Sequence, residues 1–243
     1  MDRLIISVII ELIAVSPLMI TGMRPNNKWK HLLLFASYYF FYLFLLAIPN
    51  LFPALRIVES AWNWSGKLYA ITGSISFYLL FRKAFPQHNY ITFKQKNNAL
   101  KPKFYAIVII FFVSAGLACF SVNKSETRLE YFLFQFTMPG LDEELAFRGI
   151  MLGLLSNSLK SKIYLGSRSL GNPALTITSI LFAAGHSFSI DGNWVFYQNW
   201  FEFINMFAIG LLLGWMTVKS GSILMSILVH DLINILPKII AWV

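Results

Sequence analysis

Runs of mainly apolar residues occupy most of this chain, each near the ~20 residues that a helix needs to cross a bilayer. They fall at 4–23, 32–52, 66–81, 104–121, 128–156, 173–189, 198–218 and 221–241. A helix apolar around its whole circumference presents no face to water and must be buried in protein or lipid. Composition leaves too little polar surface for the first choice: 57% of residues are hydrophobic and 13% are charged, about half the roughly 25% charged residues of a soluble domain. The expected fold is therefore all-α, a polytopic transmembrane helical bundle of about eight membrane helices. Residues 1–243 read as a single integral membrane domain. The run 66–81 is the weakest, diluted by Gly66, Lys67, Ser74 and Ser76. Within 128–156, Pro139-Gly140 marks the expected break or kink.

The formal net charge of +9 would suggest nucleic acid if the bases formed one face, but they lie between the apolar runs. Segments 24–31, 82–103 and 157–172 are rich in Lys and Arg, whereas 53–65, 122–127 and 190–197 are poorer in them. This alternation follows the positive-inside pattern. It predicts three cytoplasmic basic loops, both termini outside, and the plasma membrane of a bacterium, with the lipid bilayer as partner and no nucleic acid. Leu4 to Met23 contains Glu11 and Pro17 and no small-residue cleavage site, so it reads as a retained first helix. The single cysteine, Cys119, lies in an apolar run, which excludes an intrachain disulfide and a thiolate metal cluster. Trp62, Trp64, Trp194, Trp200 and Trp242 fall near span ends, where indoles anchor at the interface.

Ionisable groups inside spans are costly and mark functional sites by default. They concentrate in three places: Asp142-Glu143-Glu144-Leu145-Ala146-Phe147-Arg148, Phe182-Ala183-Ala184-Gly185-His186, and His230-Asp231-Leu232-Ile233-Asn234. Glu144 and Arg148 are four apart and share a helix face as an ion pair. Glu143 is turned about 100° from Glu144 and faces a different neighbour. His230 and Asn234 again share a face. At about 1.5 Å per residue, Glu143 and His186 lie roughly 20 Å and His230 roughly 15 Å along their spans. One membrane level can thus hold all three. A carboxylate and a histidine facing one water make it a nucleophile, and a second histidine with an amide can donate to the oxyanion of a tetrahedral intermediate.

The three clusters resemble the motifs of the CAAX protease and bacteriocin-processing family, also called the Abi family of intramembrane proteases. The pattern E-E-x-x-x-R, F-x-x-x-H and H-x-x-x-N reads here as Glu143-Glu144-x-x-x-Arg148, Phe182-x-x-x-His186 and His230-x-x-x-Asn234. The resemblance covers residues 128–236, leaving 1–127 as additional N-terminal transmembrane helices. It implies an endopeptidase acting on membrane-associated or lipid-modified peptides, such as prenylated C-terminal tails or bacteriocin and signalling-peptide precursors. It also implies that Glu143 and His186 activate water, that His230 and Asn234 stabilise the oxyanion, and that Glu144 and Arg148 form a supporting ion pair. No cofactor is expected in the preferred metal-free reading. The alternative is a divalent metal such as zinc on Glu143, His186 and His230.

Other intramembrane proteolytic signatures are missing: there is no H-E-x-x-H helix, no G-x-S-x-G elbow and no G-x-G-D. Asp142 and Asp231 are expected to point away from the site. Glu11, Glu202 and Asn205 read as packing contacts or as lying beyond span ends, and Tyr38-Tyr39-Phe40-Phe41-Tyr42 as lipid-facing or packed. Two rival functions stay open: a non-catalytic immunity or scaffolding protein, and a transporter using the same buried groups.

Overall fold

The computed structural model describes residues 1–25, 29–96 and 129–242. The expected span 104–121 with Cys119, and loop 122–127, lie outside the described residues. The helices, in chain order, are α1 (Asp2–Gly22), α2 (Trp29–Leu51), α3 (Trp64–Phe81), α4 (Leu129–Glu143), a π-helical stretch (Glu144–Met151), α5 (Leu152–Ser158), α6 (Pro173–Ser187), α7 (Trp200–Ser220) and α8 (Leu224–Trp242). Side-chain caps set several starts. Asn63 accepts from Gly66 N at α3, Asn172 from Ala174 N and Leu175 N at α6, and Asn199 from Glu202 N at α7, each satisfying amides that the helix leaves unpaired.

Among the described residues three helices, α1, α2 and α7, are long and apolar enough to cross a membrane, and Leu224–Pro237 forms a shorter apolar segment. The expected count of about eight is not confirmed among the described residues: Lys67 dilutes α3, and the run 128–156 is divided by the π-helical stretch into helices of 15 and 7 residues. Exposed Ile9 and Ile13 of α1, Leu79 and Leu80 of α3, and Phe201 and Ile204 of α7 give the bundle an apolar exterior, which suits lipid and not water.

The all-α expectation needs one correction. Two antiparallel β-hairpins stand between helices: β1 (Ile163–Leu165) with β2 (Arg168–Gly171), and β3 (Phe188–Ile190) with β4 (Phe196–Gln198). Gly166 supplies the positive φ of 60° at the first turn, and Asp191 Oδ1 accepts from the amides of Asn193 and Val195 at the second. Runs of three or four residues are too short to show a period in sequence.

The expected break at Pro139-Gly140 is also displaced. The helix runs through Pro139, and its hydrogen-bond pattern changes only after Glu143, where the backbone keeps right-handed helical angles of φ −72° and ψ −37°. Gly140 N donates to Asp231 Oδ1 of α8 at 2.9 Å, so a neighbouring helix helps satisfy the backbone beside the proline. A Cβ on Gly140 would collide with that carboxylate.

The basic loops gather at one end of the bundle. Arg24 donates to the carbonyls of Leu159 (2.8 Å) and Ser156 (3.1 Å), Gln87 N to Asn157 Oδ1 (3.4 Å), and Lys96 N to Ser220 O (2.9 Å). At the opposite end, Trp62 packs on Tyr131 and Phe134, and Trp64 on Phe134, with ring centroids 5.2–5.3 Å apart.

Candidate active site

Glu143 closes α4 at the point where the ladder widens from i→i−4 to i→i−5, as Leu152 N donating to Phe147 O shows at the far end of the stretch. Such π segments recur at functional sites because the wider turn redirects side chains. Here the redirection separates two adjacent acids. Glu144 turns inward to Arg148, whose Nη1 lies 3.1 Å from Oε1, with both side chains at most 1% exposed. Arg148 also donates to Gly210 O (3.4 Å) and sits 4.3 Å over the Phe182 ring. The phenylalanine of the second cluster therefore covers the guanidinium and contributes a cation–π contact.

Glu143 faces the other way, towards both histidines. His186 Nε2 is 3.6 Å and His230 Nε2 3.9 Å from Glu143 Oε2. The remaining nitrogens are anchored. His186 Nδ1 donates to Phe182 O at 2.8 Å, since a carbonyl only accepts, and His230 Nδ1 donates to Glu144 Oε1 at 2.8 Å. Each imidazole is thereby oriented with Nε2 towards Glu143, by the logic through which carboxylate partners fix histidine tautomers. Glu143 Oε2 is itself buried and has no protein hydrogen-bond partner. Carbonyl and carboxylate anchors of this kind are worth about 1–3 kcal/mol each.

These groups border a cavity of about 300 Å³. Its polar lining includes Glu143, His186, His230, Asn234, Lys67 and Gln135, and its apolar lining includes Phe134, Met206, Ile209 and Ile233. Of Lys67, Glu143, His186 and His230, His186 is the most accessible, with its side chain 33% exposed. All four residues expected to do chemistry thus border one space. Among them, Asn234 contributes by position on the wall. Glu202 instead serves the start of α7, where its amide donates to Asn199 Oδ1, and Asn205 is exposed. Glu11 accepts from Tyr39 (2.5 Å) and Ser7 (3.2 Å), a packing contact.

The sequence reading missed four participants. Lys67 Nζ lies 2.8 Å from Glu143 Oε1 and 2.9 Å from Asp142 Oδ2. Tyr42 OH donates to the same Asp142 oxygen at 3.1 Å. Asp142 and Asp231 were expected to point away; Asp142 instead joins the Lys67 network, and Asp231 holds Gly140. The signal for Lys67 was present, since a lysine within an apolar run needs a partner. Tyr38, Tyr39 and Tyr42 are fully buried while Phe40 and Phe41 are exposed, so the aromatic run is split between packing and the exterior.

A zinc ion on Glu143, His186 and His230 is the obvious metal test. The donor chemistry suits zinc, with both Nδ1 atoms anchored as metal-bound histidines usually are. The geometry does not. Bonds of about 2.0–2.1 Å at a tetrahedral metal bring ligands roughly 3.3–3.4 Å apart, and both oxygen–nitrogen pairs are wider. Among the described residues no group of three His, Cys, Asp or Glu is placed to hold a metal ion. The Lys67 ammonium already occupies the other Glu143 oxygen and opposes a second cation.

Residues 125–236 match the family model described as type II CAAX prenyl endopeptidase Rce1-like. The resemblance read from the three motifs is shown over this segment. That family is described as one of endopeptidases, and three helices among the described residues of this chain are long and apolar enough to cross a membrane. Over 95 residues the chain is 33% identical to an Escherichia coli protein described as an uncharacterized 24.3 kDa protein. That stretch covers 39% of this chain and 36% of the relative, so the chain spans about a third of the relative's length. No solved structure matches.

Proposed function

We propose that this chain is a CAAX-type intramembrane endopeptidase that hydrolyses a peptide bond in membrane-associated or lipid-modified peptides with a water activated by Glu143 and His186. The observation that carries the proposal is the convergence of two imidazole Nε2 atoms on the unpaired, buried Glu143 Oε2, at 3.6 and 3.9 Å, on the wall of one cavity. A water on the cavity side, with hydrogen bonds of about 2.8 Å to Oε2 and to either Nε2, subtends roughly 80–90° between them. It then donates both hydrogens, to Oε2 and to Nε2, and a lone pair is left free to face the cavity.

In the proposed reaction the water oxygen attacks the scissile carbonyl carbon as Glu143 or His186 takes its proton. The C–O bond forms, and the carbonyl electrons move onto oxygen. Asn234 and the imidazolium form of His230 donate to that oxyanion, with Nδ1–H of His230 still on Glu144. Collapse re-forms the carbonyl and breaks the C–N bond, and the proton held by Glu143 or His186 passes to the leaving nitrogen. Phe134, Met206, Ile209 and Ile233 suit an apolar stretch of substrate. The substrate classes proposed are prenylated C-terminal tails and apolar peptide precursors, bacteriocin or signalling peptides among them.

The test is cleavage by purified protein in lipid nanodiscs, with prenylated and unprenylated C-terminal peptides compared by mass spectrometry. Wild type should release a C-terminal fragment, while Glu143→Gln and His186→Ala should release none at unchanged membrane insertion. Equal cleavage by wild type and Glu143→Gln would remove the proposed base.

A further inference from the structure

We propose that Lys67 is a positioning residue for the reaction: it clamps Glu143 Oε1 so that Oε2 faces the two histidines, and the N-terminal helices thereby complete a site whose motifs lie elsewhere. This rests on the hydrolytic reading of Glu143. Lys67 lies in α3, outside the segment that matches the family model.

The placement of Lys67 is unfavourable on its own. It sits one turn after the Asn63 cap, near the positive end of the α3 dipole, where a cation is disfavoured, and its side chain is only 11% exposed. Two carboxylates, Asp142 and Glu143, offset both costs. Tyr42 from α2 holds Asp142, so α2, α3 and α4 meet at the ammonium. Gly66 sets the base of the lysine: a Cβ there would stand 2.5 Å from the Leu46 carbonyl, which seats the first turn of α3 directly on α2.

A clamp is needed because the terminal torsion of a glutamate is broad and roughly two-fold. Without it, the carboxylate can turn about its Cγ–Cδ bond and bond an imidazole directly, closing the space for water. Lys67 removes that freedom by occupying one oxygen at 2.8 Å. A purely neutralising role would also explain an ammonium between two acids, and a charge-balanced variant separates the two roles. Lys67→Met/Asp142→Asn deletes one cation and one anion and leaves Glu143 unclamped.

The experiment compares wild type, Lys67→Met, Lys67→Arg and Lys67→Met/Asp142→Asn in nanodiscs for melting temperature, kcat and KM. Misplacement of a reacting group by about 1 Å can cost about 100-fold, so kcat should fall about 10- to 100-fold in Lys67→Met while KM changes little. Lys67→Arg, which keeps a donor on Oε1, should recover most of it. The double variant should melt near wild type and keep the low kcat. If kcat recovers in step with melting temperature, Lys67 only balances charge and the proposal is overturned. A second readout does not need turnover: the carboxylate stretching bands of Glu143, isolated by subtracting the infrared spectrum of Glu143→Gln, should shift and broaden in the double variant. Unchanged bands would overturn the clamp. Loss of cleavage in wild type itself would instead count against the hydrolytic reading, and the infrared comparison would still decide the clamp.

Discussion

Replacing Arg148 by methionine isolates the energetics of the buried pair beneath the site. The substitution keeps an unbranched apolar stem but leaves Glu144, 0% exposed, without the cation 3.1 Å away. Breaking a buried pair from one side costs about 3–5 kcal/mol, because the surviving charge stays desolvated. Loss of the guanidinium over Phe182, 4.3 Å from the ring centroid, adds about 0.5–2 kcal/mol. For a chain of this size each kcal/mol is about 2–4 °C in melting temperature, so the pair alone predicts a drop of roughly 6–20 °C. The internal control is Arg56→Met. Its partner Glu59 is 3.5 Å away, but the two side chains are 35% and 82% exposed, and such surface pairs contribute about 0–1 kcal/mol. Thermal unfolding in detergent, followed by circular dichroism, compares the two variants. Arg148→Met/Glu144→Gln should regain at least half of the loss, since neither charge is then stranded. Equal melting of Arg148→Met and Arg56→Met would refute the reasoning and show that water reaches Glu144.

Gly140→Ala should lower both stability and turnover, because its methyl displaces the Asp231 carboxylate that accepts from Gly140 N; Gly185→Ala, with nothing within 4 Å of its added Cβ, is the comparison in the same melting and cleavage assays. Preincubation with EDTA or 1,10-phenanthroline should leave cleavage unchanged, because Lys67 holds the carboxylate that a metal would need; a loss of activity restored by zinc would contradict this.

The residues that converge on the cavity were legible because their chemistry is dense within a few residues and each cluster sits in apolar sequence. The Glu144–Arg148 pair followed from four-residue spacing, and it survives the change to π geometry because both side chains are long enough to meet. What sequence could not supply was long-range pairing. Lys67 and Glu143 lie 76 positions apart, and no periodicity links them. Lys67 read as a defect in an apolar run when it is a cation matched to two acids. Helical spacing turns Asp142 and Asp231 away from the motif positions but does not say which neighbouring helix each one meets: Asp142 meets Lys67 of α3 and Tyr42 of α2, and Asp231 meets Gly140 of α4. The hairpins were missed for a different reason: three residues carry no pattern, and their pairing is set by turns at Gly166 and Asp191.

The most direct test of the hydrolytic reading is a comparison of peptide termini in membranes of cells expressing wild type or Glu143→Gln at equal levels. Catalysis by Glu143 predicts a discrete set of new termini in apolar, membrane-associated peptides that is present with wild type and absent with the variant. Identical termini in the two membranes would contradict the central claim and leave a membrane protein whose buried acids and histidines serve another purpose.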